Sequence, residues 1–189
     1  MDLSEPLQGK VDDTSACPHM AILLESFSDV IPALASFYAL GARRNGWLFH
    51  RSLPGQAAED RAGLAAAGLD VERLEAEDRL EISELPIVDP PETWAEPYVP
   101  MVERQLQRGF DAVWWSRFPV GPDDELFRRA LEYDLHWDRC FSKSNAVSLC
   151  VYVVGGRPPA ERAKRVSDVR HVHDETLVGE PLDALPRQT

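Results

Sequence analysis

The chain has no apolar run approaching the ~20 residues that a membrane span requires. Its first ten residues, MDLSEPLQGK, carry acidic groups where a secretory signal carries basic ones. A cytoplasmic location is therefore expected. Basic charge is also in deficit: 20 Lys and Arg stand against 32 Asp and Glu, a formal net charge of -12. Attraction to DNA, RNA and anionic bilayers comes mainly from Lys and Arg, so neither a nucleic-acid nor a membrane partner is expected. Cysteine is scarce and odd in number. Cys17, Cys140 and Cys150 form no short-range pair, which excludes a secreted disulfide framework and points to reduced thiols.

Several catalytic signatures are missing as well. No G-x-S-x-G, paired C-x-x-C or H-E-x-x-H occurs. The first strand-to-helix turn, where a nucleotide-binding protein would hold phosphates, reads Glu25, Ser26, Phe27, Ser28, Asp29. A phosphate-binding loop needs glycines so that backbone N–H groups can approach closely, and a lysine to neutralise the charge. Two carboxylates and a phenylalanine at this turn would repel a triphosphate, so ATPase chemistry of the Walker type is not expected.

What remains is ordinary for a globular protein. With 189 residues and 44% hydrophobic composition, the chain is long enough for one well-cored domain. Residues 1–16 are polar, acidic and aperiodic and read as a disordered leader. Residues 17–180 read as a single domain, and 181–189 as a disordered tail. The apolar run 20–24 suits a buried strand. Val30, Ala33, Leu34, Phe37, Tyr38 and Gly41 recur at helical spacing, with Pro32 tolerated in the first turn and Asn45-Gly46 as the stop. A second strand is expected at 47–50, an alanine-rich helix at 56–67, then residues 69–71 leading into a short turn before the alternation at 80–82. Prolines 86, 90, 91, 97 and 100 mark a loop before a helix at 100–108. Strand 110–116 follows, then a helix opened by Pro122 and Asp123 with Phe127, Ala130, Leu131 and Leu135 on one face. Strand 146–154, a short helix at 160–167 and a last strand at 171–178 complete the reading. This alternation predicts an α/β fold in three layers, a mostly parallel sheet flanked by helices.

The strand HMAILLESF, the passage 41–50, the stretch AGLDVERLEAEDRLEI, the strand GFDAVWWS, the helix segment LEYDLHW, the strand AVSLCVYV and the terminal HVHDETLV, taken in order, resemble the MEDS (methanogen and methylotroph sensory) domain family. The resemblance implies a RecA-like core without a phosphate-binding loop. It also implies an input module that senses small hydrocarbon derivatives and works with histidine kinases, anti-sigma-type regulators or transcription factors. Many relatives carry an aspartate after the tyrosine of the fifth strand, where this chain has Val153 after Tyr152. No output domain accompanies the segment, so the signal is expected to pass to a separate protein partner.

Ligand crevices in open α/β sheets lie beyond the carboxyl ends of the strands. This rule selects Glu25, His50, Trp114, Trp115 and Tyr152 as ligand-binding candidates, the adjacent tryptophans either packing under helices or walling an apolar or cationic ligand. His171 and His173 would share one face of an extended strand. A metal would need a third ligand from His19, His50, Cys17 or Cys150, and no metal or other cofactor is expected. Cys150 reads as a small buried hydrophobe, with no histidine placed beside it by the sequence. Glu132, Asp134, His136 and Asp138 read as a solvated helix face. No catalytic residue is assigned. The expected function is a non-catalytic sensory or regulatory module that binds a small molecule, with self-association left open; an enzyme on the same sheet and a ligand-free interaction scaffold are the alternatives.

Overall fold

The computed structural model of the protein describes residues 19–84, 94–141 and 143–178. The expected leader and tail, Cys17, and prolines 86, 90 and 91 lie outside the described residues. Six strands form one sheet: β1 His19–Leu24, β2 Gly46–Ser52, β3 Leu80–Glu84, β4 Ala112–Arg117, β5 Ala146–Val153 and β6 Glu175–Val178. Their order is β3-β2-β4-β5-β1-β6, and every pairing is parallel, so the sheet is wholly rather than mostly parallel. Six α-helices connect them: α1 Val30–Arg43, α2 Ala57–Ala66, α3 Val71–Ala76, α4 Val99–Gln107, α5 Asp124–Phe141 and α6 Pro159–His171.

The direction of winding assigns helices to layers. From β1 to β2 to β3 the chain moves toward one edge; from β3 onward it moves back. Right-handed crossovers then put α1, α2 and α3 on one face and α4, α5 and α6 on the other. The core divides accordingly. Met20, Ile22, Leu24, Leu48, Trp114, Leu149 and Val151 meet α1 to α3, while the other face is built from Ala21, Leu23, Cys150 and Tyr152 near α5 and α6, and Trp47, Phe49 and Trp115 near α4 and α5. Burial of both faces explains why strands β1, β2 and β5 are buried throughout.

Three expectations change. Val71–Ala76 is a helix rather than a turn, because Asp70 caps it by accepting a hydrogen bond from the Arg73 N–H. The last helix runs through to His171, and the final strand begins only at Glu175, so residues 171–174 are not extended strand. On α5, Leu135 is 51% exposed. The buried stripe is instead Phe127, Ala130, Asp134, Trp137 and Phe141, a spacing of three, four, three and four that keeps one line along the helix.

Trp114 sets the distance between α1 and the sheet. A Cβ at Gly41 would come within 2.6 Å of its ring and one at Gly46 within 2.3 Å, so the indole lies against bare backbone at both places. Gly41 sits in a helix, where alanine is intrinsically better by about 1 kcal/mol. We expect Gly41→Ala nevertheless to destabilise the fold by about 1–3 kcal/mol in urea denaturation, because overpacking exceeds the propensity gain. A neutral or stabilising result would show that the indole has room to move.

Candidate functional site

Strand β2 runs into α2 on one face, and its neighbour β4 runs toward α5 on the other, so strand order reverses between them. Beyond their carboxyl ends lies a cleft of ≈ 250 Å³. Its apolar walls are Phe27, Val30, Ile31, Leu34 and Pro119, and its polar edge is Gln56, Glu59 and Asp60 on the first turns of α2. Phe27 is half exposed at its margin. A wider groove between α5 and α6 is crossed by the ion pairs Arg157–Asp124, Arg165–Asp124 and Lys164–Asp168, so its charges are already matched.

Asp60 connects the cleft to a buried polar relay. Its Oδ2 accepts from Ser52 Oγ at 2.6 Å and lies 3.1 Å from His50 Nε2. Nδ1 of the same imidazole is 3.1 Å from the Tyr38 hydroxyl, which is also 3.0 Å from the Phe49 carbonyl. The single phenol proton goes to the Phe49 carbonyl, so toward His50 Nδ1 the Tyr38 hydroxyl stands as the acceptor. Burial of Asp60 opposes its ionisation, but the hydrogen bonds from His50 and Ser52 outweigh burial and hold it below the ordinary carboxylate range. Burial pushes the Tyr38 phenol up, so the hydroxyl keeps its proton.

A second polar cluster lies on the opposite face, under α5. Arg117 from β4 donates to both oxygens of Asp134, at 2.9 and 3.0 Å, and Tyr152 from β5 donates its hydroxyl to Oδ2. Cys150 Sγ is 3.3 Å from Asp134 Oδ1 and 3.6 Å from His19 Nε2, while His173 Nε2 is 3.2 Å from Asp134 Oδ2. Every one of these side chains is buried. Burial alone would neutralise Asp134, yet Arg117 and His173 hold its carboxyl far below the usual range. The converse acts on His173: burial lowers it, and the Asp134 carboxylate more than reverses that. For Cys150, burial and Asp134 act upward, but Arg117 and the two histidines bring the net shift downward.

The candidates chosen from sequence separate among these places. His50 reaches the cleft only through Asp60. Glu25, at the end of β1, pairs with Arg162 of α6 at 2.9 Å. Trp114 packs beneath α1 against Phe37; Trp115, on the opposite face, sits among Phe49, Tyr98, Trp94 and Trp137. Tyr152 belongs to the Asp134 cluster. Three expectations are corrected: His171 is exposed at the end of α6 and shares no strand face with His173, Asp134 is not part of a solvated face, and Cys150 has two histidines within its reach. Arg117 and Asp134 were not chosen as site residues, and His19 was named only as a possible third metal ligand. Asp134 carried a signal, since it fills one slot of the apolar stripe on α5. No protein-family model matches the chain, and no curated protein matches it.

The relay has a pH signature. Because Asp60 has a lowered folded-state pKa, its contribution is present above the ordinary carboxylate value and is lost as pH falls through the folded one. Asp60→Asn should cost about 1–3 kcal/mol at pH 7. The gap between variant and wild type should narrow steadily below about pH 4. Urea unfolding followed from pH 7 to acid checks this, and a gap that stays constant would show that the carboxylate charge is not what the relay uses.

Proposed function

We propose that the chain is a non-catalytic sensory or regulatory module that takes a small molecule into the cleft beside Asp60 and passes the signal to a separate protein partner. The observation that carries this reading is the position of the cleft: it lies at the reversal point of an all-parallel sheet, where open α/β folds bind ligands. Its volume of ≈ 250 Å³ falls just below the about 300–1,000 Å³ of sites for drug-sized molecules. Five apolar side chains surround one half-buried carboxylate with a second, Glu59, beside it. This combination favours a short apolar body that carries a hydrogen-bond donor, such as an alcohol or a protonated amine. A small hydrocarbon derivative of the kind implied by the MEDS resemblance has that form. Occupancy at Asp60 would perturb His50 and Tyr38, which reach into the core between α1 and the sheet, so the relay gives a local event a route inward.

The RecA-like part of the resemblance is supported by helices on both faces of a parallel sheet and by a first turn in which Glu25, rather than a lysine, is ion-paired. Among the described residues no helix is long and apolar enough to cross a membrane. An enzymatic reading would rest on Cys150 with its two histidines. Its side chain is 3% exposed, which leaves a substrate no access.

Amide NMR titration with short primary alcohols and alkylammonium ions tests the proposal. Saturable shifts are expected for residues 27–34 and 56–63, with at least about tenfold weaker binding in Ile31→Trp, which fills the cleft. Absence of saturable shifts, or identical shifts in that variant, would overturn it.

A further inference from the structure

We propose that His19, Asp134, Cys150 and His173 form a closed four-coordinate site for a transition-metal ion of the zinc class. Each residue offers one donor atom, and the four atoms lie within 4.8 Å of one another. Around a tetrahedral zinc ion with bonds of about 2.0–2.3 Å, neighbouring ligand atoms stand roughly 3.2–3.7 Å apart. Asp134 Oδ1 lies 3.3 Å from Cys150 Sγ and 3.9 Å from His19 Nε2, its Oδ2 lies 3.2 Å from His173 Nε2, and Cys150 Sγ is 3.6 Å from His19 Nε2. Two imidazoles, a thiol and a carboxylate are the donor types that zinc takes in proteins.

An independent observation comes from His173. Its Nδ1 lies 2.8 Å from the Val169 carbonyl, an acceptor, so Nδ1 carries a proton and the ring turns Nε2 into the cluster. There Nε2 stands 3.2 Å from Asp134 Oδ2 without a well-formed hydrogen bond. That pair needs a positive charge between its two atoms, supplied by a proton or by a metal ion. A proton on His173 would serve that one pair. It would not account for Cys150 and His19 converging on the same point from two other strands, whereas a single cation explains all four. The Val169 contact also orients the ring as the outer hydrogen bond of a metal-bound histidine does, and Arg117 and Tyr152 hold the carboxylate in the same way.

The donors come from β1, α5, β5 and the turn before β6, and all four side chains are buried. Four protein ligands and no open position describe a structural site rather than a catalytic one. Binding releases the thiol proton. With Arg117 alongside, a divalent ion leaves the cluster one positive charge in excess, so the ion should yield to a strong chelator more readily than one held by several thiolates.

The full chain, produced without a histidine tag and with zinc in the medium, should carry about one equivalent of zinc. Removal by chelator should lower its melting temperature, and zinc should restore it. Cobalt added to the stripped wild-type protein should give tetrahedral d–d absorption with a thiolate-to-cobalt charge-transfer band, a readout that needs no variant. Cys150→Ser should lose that band and His171→Ala, on the exposed end of α6, should keep it. Substoichiometric metal together with no cobalt spectrum would overturn the proposal and leave His173 as an imidazolium paired with Asp134. A cobalt spectrum retained in Cys150→Ser would also overturn it, by placing the ion elsewhere.

Discussion

The carboxylate of Asp134 is buried at the centre of the second layer, and much of that layer is arranged to keep its charge. An isolated carboxylate in such a place would take up a proton, since desolvation in a core costs several kcal/mol. Here it is met by a guanidinium from β4, a phenol from β5 and an imidazole from the turn before β6, so one residue on α5 fixes the depth and rotation of the helix against three neighbouring strands. Apolar packing by Phe127, Trp137 and Phe141 would tolerate small rotations of α5. The Arg117 contacts at 2.9 and 3.0 Å would not, because a rotated carboxylate leaves a buried cation unmatched.

The other layer handles polarity differently. Asp60 stands near the surface, accepts directly from Ser52 and reaches Tyr38 only through His50, so its carboxylate stays near water. This leaves α2 anchored less deeply than α5. Of the residues in α2 only Leu64 is buried. A helix with one apolar anchor and one polar anchor is suited to answer a change at the cleft, whereas α5, locked on both sides of its buried stripe, serves as the fixed frame against which such a change is felt.

Much of the architecture was legible in the sequence because parallel sheets announce themselves locally. The runs at 20–24 and 146–154 are apolar on both faces, and Asn45 ends α1 in a left-handed turn, φ 53°, for which asparagine is suited. The absence of phosphate-loop residues after β1 was equally local. The sites were less legible because their members are distant in the chain: His19 and Cys150 are 131 residues apart, and Asp134 and Tyr152 meet only once α5 docks on β5. Spacing of two along α5 suggested that Glu132, Asp134 and His136 point different ways. They do, and that is why one of them points inward. The tryptophan pair was conspicuous in sequence, yet its two rings fill opposite layers, Trp114 against backbone left bare by Gly41 and Gly46.

The position of His173 has a consequence for the order in which the protein becomes complete. A ribosome delivers His19, Arg117, Asp134 and Cys150 first, and until the turn after α6 emerges the Asp134 cluster lacks its imidazole from the carboxyl-terminal side. Residues far apart in sequence pay their loop-closure entropy before they gain contact. Because β4 and β5 lie between β2 and β1, the sheet is continuous only once β5 is in place, and α6 with the turn carrying His173 closes the second layer last. The last-arriving strand, β6, pairs with β1 alone and sits at the sheet edge. A chain that stalls or is cut between β5 and β6 therefore retains most of its sheet but carries a buried charge without its full complement.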